Sequence, residues 1–303
     1  MSTTSTDLLH LTRIDATLWK DSRYAYTKHT YYGWRSEPIE EHVWRREYKP
    51  IGAGAFGAVF REVCIEGRNK AAVRAVKHIE KPTASQRATR VDFSRELEAI
   101  ARFSKPEYEP FFVRSEGWYD GGANICIVME LVQHGSLQDY VRQSQGLPEP
   151  EARLIVSQTL RGIAHMHRAG YTHRDLKPQN LLVVQGGPAW HVKIADFGLS
   201  KRLVEDLSSL RTVAGTAGYM APEILGIRAQ GGDSSHDSSG SSYTSAVEIW
   251  AIGIIYFLLL TGGFPFPAQD FHLLSKYVQG RAHFPVERMQ LVSLPARDLV
   301  ETL

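Results

Sequence analysis

Apolar and polar positions follow two different periods along the chain. Residues 58–65 and 71–77 alternate like antiparallel strands, and residues 125–129 form a short apolar run typical of a buried strand. Residues 92–103 repeat their apolar positions at helical spacing. From there the pattern turns helical, with helices predicted over 150–169, 246–261, about 270–280 and 295–303. This predicts an α+β protein in which a small antiparallel β-rich lobe with one main helix precedes a larger, mostly helical lobe.

Residues 1–46 precede this pattern and are predicted to form an N-terminal extension. Its first six residues have the composition of a disordered terminus. The remainder is rich in aromatic residues, which favours a strap packed on the folded body. These aromatics are Trp19, Tyr24, Tyr26, Tyr31, Tyr32, Trp34 and Trp44. An aromatic surface for nucleic acid would also need dense Lys and Arg, so no nucleic acid partner is expected.

The composition is that of an ordinary globular protein, with 43% apolar and 22% charged residues among 303. A net charge of +2 gives no strong basic field for nucleic acid or an anionic membrane. Cys64 and Cys126 are too few for a disulfide framework and fit a reducing compartment. The N-terminus lacks a secretory signal, and the apolar stretch near residues 250–260 is too short to span a bilayer. We therefore expect a cytoplasmic or nuclear protein without a membrane span.

The segment Tyr-Thr-His-Arg-Asp-Leu-Lys-Pro-Gln-Asn at residues 171–180 carries the strongest chemical signal. It spaces Asp175, Lys177 and Asn180 so that their side chains can meet around one transferring phosphate. Sixteen residues after Asn180, Asp196 begins Asp-Phe-Gly and adds a carboxylate for a metal ion. Few reactions other than phosphoryl transfer from a nucleotide need this set. The histidines between residues 165 and 173 lack the cysteine or carboxylate partners of a zinc site.

Residues 51–59 read Ile-Gly-Ala-Gly-Ala-Phe-Gly-Ala-Val, a glycine-rich run of the kind that binds phosphate. Glycines let the backbone approach phosphate oxygens and present N–H groups to them. Such a run alone is a weak signal, because many are ordinary turns and some bind dinucleotides. A dinucleotide fold would place a helix next, whereas here a strand-like alternation follows.

Taken in order, these motifs resemble those of the eukaryotic protein kinases, and the resemblance covers residues 48–303. It implies a bilobal kinase domain over residues 47–303, with an N-lobe at 47–131, a C-lobe at 132–303 and a polar, flexible insert at 227–242. Lys177-Pro178-Gln179-Asn180 is similar to the serine/threonine-specific form of the loop. The resemblance therefore implies transfer of the γ-phosphate of ATP to Ser or Thr hydroxyls of protein substrates, with Mg²⁺ as cofactor.

The family pattern implies a role for each polar residue of the catalytic segment. Asp175 orients the substrate hydroxyl and accepts its proton, and Lys177 neutralises charge on the γ-phosphate. Asn180 and Asp196 hold magnesium ions that bridge the phosphates.

Lys77 ends a strand similar to the family's Val-Ala-Ile-Lys, which implies that it binds the α- and β-phosphates. The family pairs this lysine with a Glu on the next helix, and both Glu96 and Glu98 are candidates. Glu96 shares the inward-facing stripe with Ile100 and Phe103, whereas Glu98 is expected nearer solvent. We therefore expect the pair Lys77–Glu96.

The resemblance also implies an adenine pocket. The glycine run and its flanking apolar residues cover the nucleotide, a small residue on the strand of Lys77 forms the roof, and a leucine forms the floor. The segment that joins the lobes hydrogen-bonds adenine through its backbone and contacts ribose. The implied ATP-binding residues are Ile51, Gly52, Gly54, Gly57, Val59, Ala75, Lys77, Met129, Glu130, Val132, Ser136 and Leu182.

Three further residues are implied to regulate the site. In the family, an Arg at the position of Arg174 pairs with a phosphate on the activation loop, here residues 199–218. Thr212 occupies the usual position of the residue that carries this phosphate, and it is preferred over Ser208 and Ser209 as the predicted site. Thr216 corresponds to the Thr that contacts the catalytic Asp in serine/threonine kinases.

Two departures from the family pattern leave an alternative open. Glu248 stands where the family has an Asp that binds the backbone of the catalytic loop, and its extra methylene requires a shift of helix or loop. The chain also ends at Leu303, where the family's C-lobe continues, so an incomplete C-lobe is expected. A nucleotide-binding scaffold without efficient transfer is therefore the alternative function. A small-molecule kinase is less expected, because Ala221-Pro222-Glu223 serves protein substrates in the family.

Overall fold

A computed structural model describes residues 11–32, 38–54, 57–81, 93–196, 217–227, 245–267 and 271–303. The chain divides into two compact units, Met1–Val132 and Gln133–Leu303. Among the described residues, no helix combines the length and apolar character needed to cross a membrane.

The first unit is built on an antiparallel sheet of eight strands with one helix. The sheet order is β1-β2-β3-β5-β6-β8-β7, and β4 pairs with β5. The helix α1, Phe93–Phe103, and the strands predicted from residues 58–65, 71–77 and 125–129 are confirmed. The strands are β1 Asp15–Lys20, β2 Ala25–Tyr32, β3 Pro38–Arg46, β4 Gly52–Gly54, β5 Gly57–Glu66, β6 Val73–Glu80, β7 Ser115–Asp120 and β8 Asn124–Glu130.

The N-terminal residues are built into this sheet and do not lie over it as a strap. Strands β1, β2 and β3 pair in succession, and β3 pairs with β5 with Trp44 opposite Cys64. Their inward positions are largely polar, since Thr27, His29 and His42 are buried together with Trp44. Because these positions are polar and form no apolar stripe, the sequence shows no period-two pattern for these strands.

Residues 12–14, just before β1, pair with β7, so the first and last strands of the sheet order are joined. The N–H of Ile14 donates to the Trp118 carbonyl at 2.8 Å, and the N–H of Trp118 donates to the Thr12 carbonyl at 3.0 Å. Gly117 permits this approach, because its φ is +133° and a Cβ there would lie 2.5 Å from the Thr12 carbonyl oxygen. The sheet therefore closes on itself along this edge, which leaves less of β7 open to foreign strands.

The second unit is mostly helical and contains one short hairpin. The predicted helices are confirmed, with α4 apolar almost all round and correspondingly buried. Helix α3 packs against α4 and the hairpin, and α6 packs against α4. The elements are α2 Leu137–Gln143, α3 Glu149–Arg168, β9 Leu181–Gln185, β10 His191–Ile194, α4 Ala246–Thr261, α5 His272–Val278 and α6 Leu294–Thr302. Of the predicted insert at 227–242, residues 228–242 lie outside the described residues.

Candidate active site

Asp175, Lys177 and Asn180 form one hydrogen-bonded group in the second unit. The Lys177 ammonium lies 2.9 Å from Oδ1 and 2.7 Å from Oδ2 of Asp175. The Asn180 side-chain amide donates to the Asp175 backbone carbonyl at 2.6 Å and to its Oδ2 at 3.1 Å. The side chains of Lys177 and Asp175 are only 16% and 9% exposed. The three residues that the sequence predicted to meet are therefore in contact, with the carboxylate held in a fixed orientation.

The β9–β10 hairpin places Asn180 and Asp196 at the same end. The register pairs Leu181 with Ile194, and the N–H of Ala195 donates to the Asn180 carbonyl at 2.8 Å. Asp196 follows directly with a φ of +59°, a left-handed conformation that is uncommon for a residue with a side chain. The short hairpin therefore brings the two predicted metal ligands together.

The donor set of these two residues fits magnesium. Mg²⁺ prefers oxygen ligands and usually keeps several waters, so one or two protein oxygens and the substrate phosphates suffice. Asp196 supplies carboxylate oxygens, and Asn180 uses its amide nitrogen within the loop, which leaves its amide oxygen as a ligand. Across the described ranges, no group of three or more His, Cys, Asp or Glu side chains could hold a metal without a substrate.

His173 is fully buried and hydrogen-bonds to the backbone of the loop that carries Asp175. Its Nε2 donates to the Ala195 carbonyl at 2.9 Å, and its Nδ1 accepts the N–H of Asp175 at 3.3 Å. The imidazole therefore ties Asp175 to the residue before Asp196, a structural role and not that of a metal ligand.

Glu248 anchors the loop from helix α4, despite its extra methylene. Its Oε1 accepts the N–H of Arg174 at 2.7 Å, and its Oε2 lies 2.5 Å from Nε2 of His167. The side chain of Glu248 is fully buried and Arg174 has a φ of +70°, so the carboxylate stabilises an unusual backbone conformation. Sequence reasoning considered His167 only as a metal ligand and missed this contact. His167 is the penultimate residue of α3, and its partner lies 81 positions away in sequence, so no local pattern predicts the contact.

The structure describes only one of the three predicted regulatory residues, Arg174. The Arg174 side chain donates from Nε to Oγ1 of Thr172 at 3.2 Å. Thr212 and Thr216 lie outside the described residues, so their pairing with Arg174 and Asp175 stays a prediction.

Ser136 and Leu182 are neighbours in the second unit through an isolated antiparallel bridge. The N–H of Val183 donates to the Gly135 carbonyl at 2.9 Å, which fixes this arrangement. Ser136 begins helix α2, and its N–H and hydroxyl both donate to Oδ2 of Asp139, at 3.1 and 2.7 Å. The predicted ribose and adenine-floor residues are therefore adjacent.

In the first unit, the glycine run forms the β4–β5 hairpin. Gly52 pairs with Val59 and Gly54 with Gly57, and the N–H of Ile51 donates to the Val59 carbonyl at 2.8 Å. Gly57 has a φ of +128°, and a Cβ there would lie 1.9 Å from the carbonyl oxygen of His78. No other residue fits this position, which explains the last glycine of the run. Residues 55 and 56, at the tip, lie outside the described residues.

The predicted roof and lysine of the nucleotide pocket lie on one face of strand β6. Ala75 pairs with Met129 and Lys77 with Val59, so side chains from three strands share this face. Ala75 and Lys77 are both buried. Glu96 belongs to α1, but its side chain lies outside the described residues, so the Lys77–Glu96 pair stays a prediction.

Glu130 and Val132, from the segment predicted to join the lobes, lie at the end of the first unit. Glu130 ends β8, where its N–H donates to the Arg114 carbonyl at 3.0 Å and its Oε1 accepts the N–H of Arg114 at 2.8 Å. Val132 is the last residue of this unit. The side chain of Glu130 is thus used structurally, which is compatible with a role for its backbone carbonyl.

Comparisons with known proteins agree with this geometry. The family model described as protein kinase domain matches residues 45–303. A probable myosin light chain kinase of Dictyostelium discoideum is 32% identical over 84% of this chain and 75% of its own length. Serine/threonine-protein kinase RAD53 of Saccharomyces cerevisiae is 32% identical over 84% of this chain, which spans only 30% of the yeast protein. The crystal structure of Rad53 1–466 in complex with AMP-PNP matches with a TM-score of 0.65 at 22% identity, over 100% of this chain and 90% of that one. This structural likeness confirms the predicted fold class.

Proposed function

This chain belongs to the protein kinase family, among the serine/threonine-specific kinases, and from that premise we propose that it transfers the γ-phosphate of ATP to Ser or Thr hydroxyls of protein substrates. The observation that carries the proposal is the bonded group of Asp175, Lys177 and Asn180. It supplies a base, a cation and an amide oxygen at one point, as phosphoryl transfer requires.

Asp175 is the proposed base. An oxygen of its carboxylate accepts the proton of the substrate hydroxyl while the hydroxyl oxygen bonds to the γ-phosphorus and the bond to the ADP oxygen breaks. Lys177 lies against this carboxylate, where its ammonium can neutralise charge on the transferring phosphoryl group. The Asn180 amide helps to orient Asp175 by donating one hydrogen bond to its Oδ2 and one to its backbone carbonyl. A fixed base removes much of the entropy cost of alignment.

Asp196 and the amide oxygen of Asn180 would hold magnesium, which would supply positive charge to offset the charge of the phosphates. The positive φ of Asp196 supports this assignment, because strained backbone is retained where a side chain must be aimed.

The first unit supplies the proposed nucleotide-binding groups. The β4–β5 hairpin presents backbone N–H groups to phosphate, and Lys77 supplies a charge for the α- and β-phosphates. Ala75 leaves room for adenine, and the backbone of Glu130 and Val132 is proposed to hydrogen-bond it. The structural relative that was solved with AMP-PNP supports nucleotide binding.

The alternative of an inactive scaffold loses its main support in Glu248. Glu248 stands where the family pattern has Asp, yet its carboxylate accepts the Arg174 N–H at 2.7 Å. Asp175, Lys177 and Asn180 are in contact within the second unit, which supports an active enzyme over a scaffold.

The test is transfer of labelled γ-phosphate from ATP with magnesium to a generic protein substrate, followed by phosphoamino acid analysis. We expect phosphoserine or phosphothreonine with the wild-type protein and a loss of about 1,000-fold or more with Asp175→Asn. Asp298→Asn, an exposed Asp on α6, is the matched control and should leave transfer unchanged. No transfer by folded wild-type protein that still binds ATP would select the scaffold.

A further inference from the structure

A charged pair lies buried inside the sheet of the first unit, on the side away from the proposed nucleotide face. Arg74 on β6 and Glu62 on β5 are each 1% exposed. Nε and Nη2 of Arg74 donate to Oε2 of Glu62 at 3.0 and 2.6 Å. Strands β5 and β6 place the two residues directly opposite each other.

The same guanidinium also contacts two of the three N-terminal strands that lie beyond β5. Its Nη2 donates to Nε2 of His29 on β2 at 2.7 Å. Its Cζ lies 3.8 Å from the centre of the Trp44 ring on β3, in cation–π geometry. His29 packs edge-on against Tyr119 of β7, with ring centres 5.1 Å apart. One side chain thus ties β6 to strands β2, β3 and β5.

Arg74 precedes Ala75 and lies three positions before Lys77 on the same strand. Because side chains alternate along a strand, Arg74 and Val76 face the interior, while Ala75 and Lys77 face the opposite side with Val59. A shift of β6 driven from the interior face therefore moves the roof residue and the phosphate-binding lysine together.

Stability alone does not explain a charged pair at this place. Desolvation of two buried charges offsets most of their attraction, and apolar residues of similar size often replace such pairs without loss of stability. The geometry of the contact is more specific than its charge: the planar fork donates to Glu62 and His29 while its face lies over the Trp44 ring, so side chains from four strands must be placed together. Such a group selects one register and one position for β6.

We propose that Arg74 is a positioning residue of the nucleotide site, acting through strand β6 on Lys77 and Ala75, and that β2 and β3 are the elements that hold it. The proposal rests on the proposed function in one respect, the role of Lys77 toward ATP. The N-terminal strands are accordingly a part of the nucleotide-binding unit, although they carry no residue predicted to touch the nucleotide.

The experiment replaces the pair together, so that no buried charge is left alone. Glu62→Met with Arg74→Met keeps the volume and removes the anchor. The matched control makes the same changes in an exposed pair on neighbouring strands, Lys28→Met with Glu41→Met, whose side chains lie 3.0 Å apart. Arg74→Lys is the conservative variant, which keeps the charge but loses the fork and the stacking.

Three quantities are measured on the full chain: AMP-PNP affinity by calorimetry, kcat with KM for ATP, and amide hydrogen exchange of β6 without nucleotide. At matched thermal stability, we expect the Glu62/Arg74 double variant to bind AMP-PNP about tenfold more weakly. KM for ATP should rise in parallel, and β6 should exchange faster. The Lys28/Glu41 control should match the wild type, and Arg74→Lys should fall between.

Nucleotide affinity within about twofold of wild type, or unchanged β6 exchange, in a double variant of matched stability would overturn the proposal. If that variant does not fold, Arg74→Lys decides by the same criteria. Wild-type protein that binds AMP-PNP but transfers no phosphate contradicts the proposed function, while the affinity and exchange measurements still decide the role of Arg74.

Discussion

Oε1 of Glu248 accepts the backbone N–H of Arg174 at 2.7 Å, across 74 positions of sequence. The other oxygen, Oε2, lies 2.5 Å from Nε2 of His167. Helix α4 thereby fixes the residue that immediately precedes the proposed base. The family pattern has Asp at position 248, and the longer Glu248 side chain also hydrogen-bonds the backbone of the loop that carries Asp175.

Glu248→Ala should remove this anchor and lower kcat by about 100-fold, because the loop that carries Asp175 loses its position. The unpaired buried N–H should also lower the free energy of unfolding by about 1–3 kcal/mol. Glu248→Gln keeps an acceptor oxygen and should retain most activity. Steady-state kinetics and urea unfolding of both variants, with the exposed Glu301→Ala as control, test this. Equal activity of the Ala and Gln variants would contradict it.

Gly117→Ala should open the contact between residues 12–14 and strand β7. The added Cβ would lie 2.5 Å from the Thr12 carbonyl oxygen at a φ of +133°. We expect a loss of about 3 kcal/mol or more in stability, since backbone strain and a collision act together. Gly122→Ala is the control, because Gly122 has a φ of +80° with nothing within 4 Å of the added Cβ. It should cost only about 1–2 kcal/mol. Comparable losses in the two variants would mean that the closure contributes little.

Acid should weaken the first unit through His29. Burial, and then the charge of Arg74, lower the pKa of His29 from 6.5 to about 3. His29 of the unfolded chain therefore binds a proton near pH 6.5, whereas His29 of the folded chain binds one only near pH 3. The free energy of unfolding is thus highest above pH 6.5 and falls as the pH drops from 6.5 towards 3. One such proton changes the free energy of unfolding by up to about 1.4 kcal/mol per pH unit.

His29→Asn removes this titration. Between pH 6.5 and pH 5, the free energy of unfolding of the variant should therefore fall by up to about 2 kcal/mol less than that of the wild type. His78, whose pKa burial lowers to about 4, titrates in both proteins and cancels in the comparison. Urea unfolding at the two pH values gives the difference directly. Parallel curves for the two proteins would show that His29 is protonated in the folded state.

Thr212 is the predicted phosphorylation site, by its resemblance to the activating residue of the family. Thr212→Ala should lower kcat by about tenfold or more if a phosphate there pairs with Arg174, because a charge-assisted pair orders the loop. Mass spectrometry of active protein should find phosphate on Thr212, and Ser208→Ala should have little effect. Full activity of Thr212→Ala, with no phosphate detected, would sink the idea.

Much of the site was predictable because its chemistry is local. Asp175, Lys177 and Asn180 lie within six consecutive positions, and a hairpin of two short strands carries the chain back to Asp196. Helix α4 was predictable because a helix that is apolar on all sides must be buried.

The N-terminal strands were not predictable in the same way. Their inward positions include Thr27, His29 and His42, which read as surface residues until their partners from distant strands are known. Arg74 and Glu62 likewise look solvated in sequence, and only the pairing of β5 with β6 shows that each neutralises the other. Long-range polar pairing leaves no periodic signal.

The pairing of β3 with β5 has a consequence for where this domain can be cut. The family match begins at residue 45, inside β3, one residue before that strand ends. A protein trimmed to that boundary would lack Trp44 and His29, and the guanidinium of Arg74 would lose both its stacking partner and one acceptor. The N-terminal strands begin at Asp15, thirty residues before the family match, so a cut at the start of the match would remove strands that belong to this sheet.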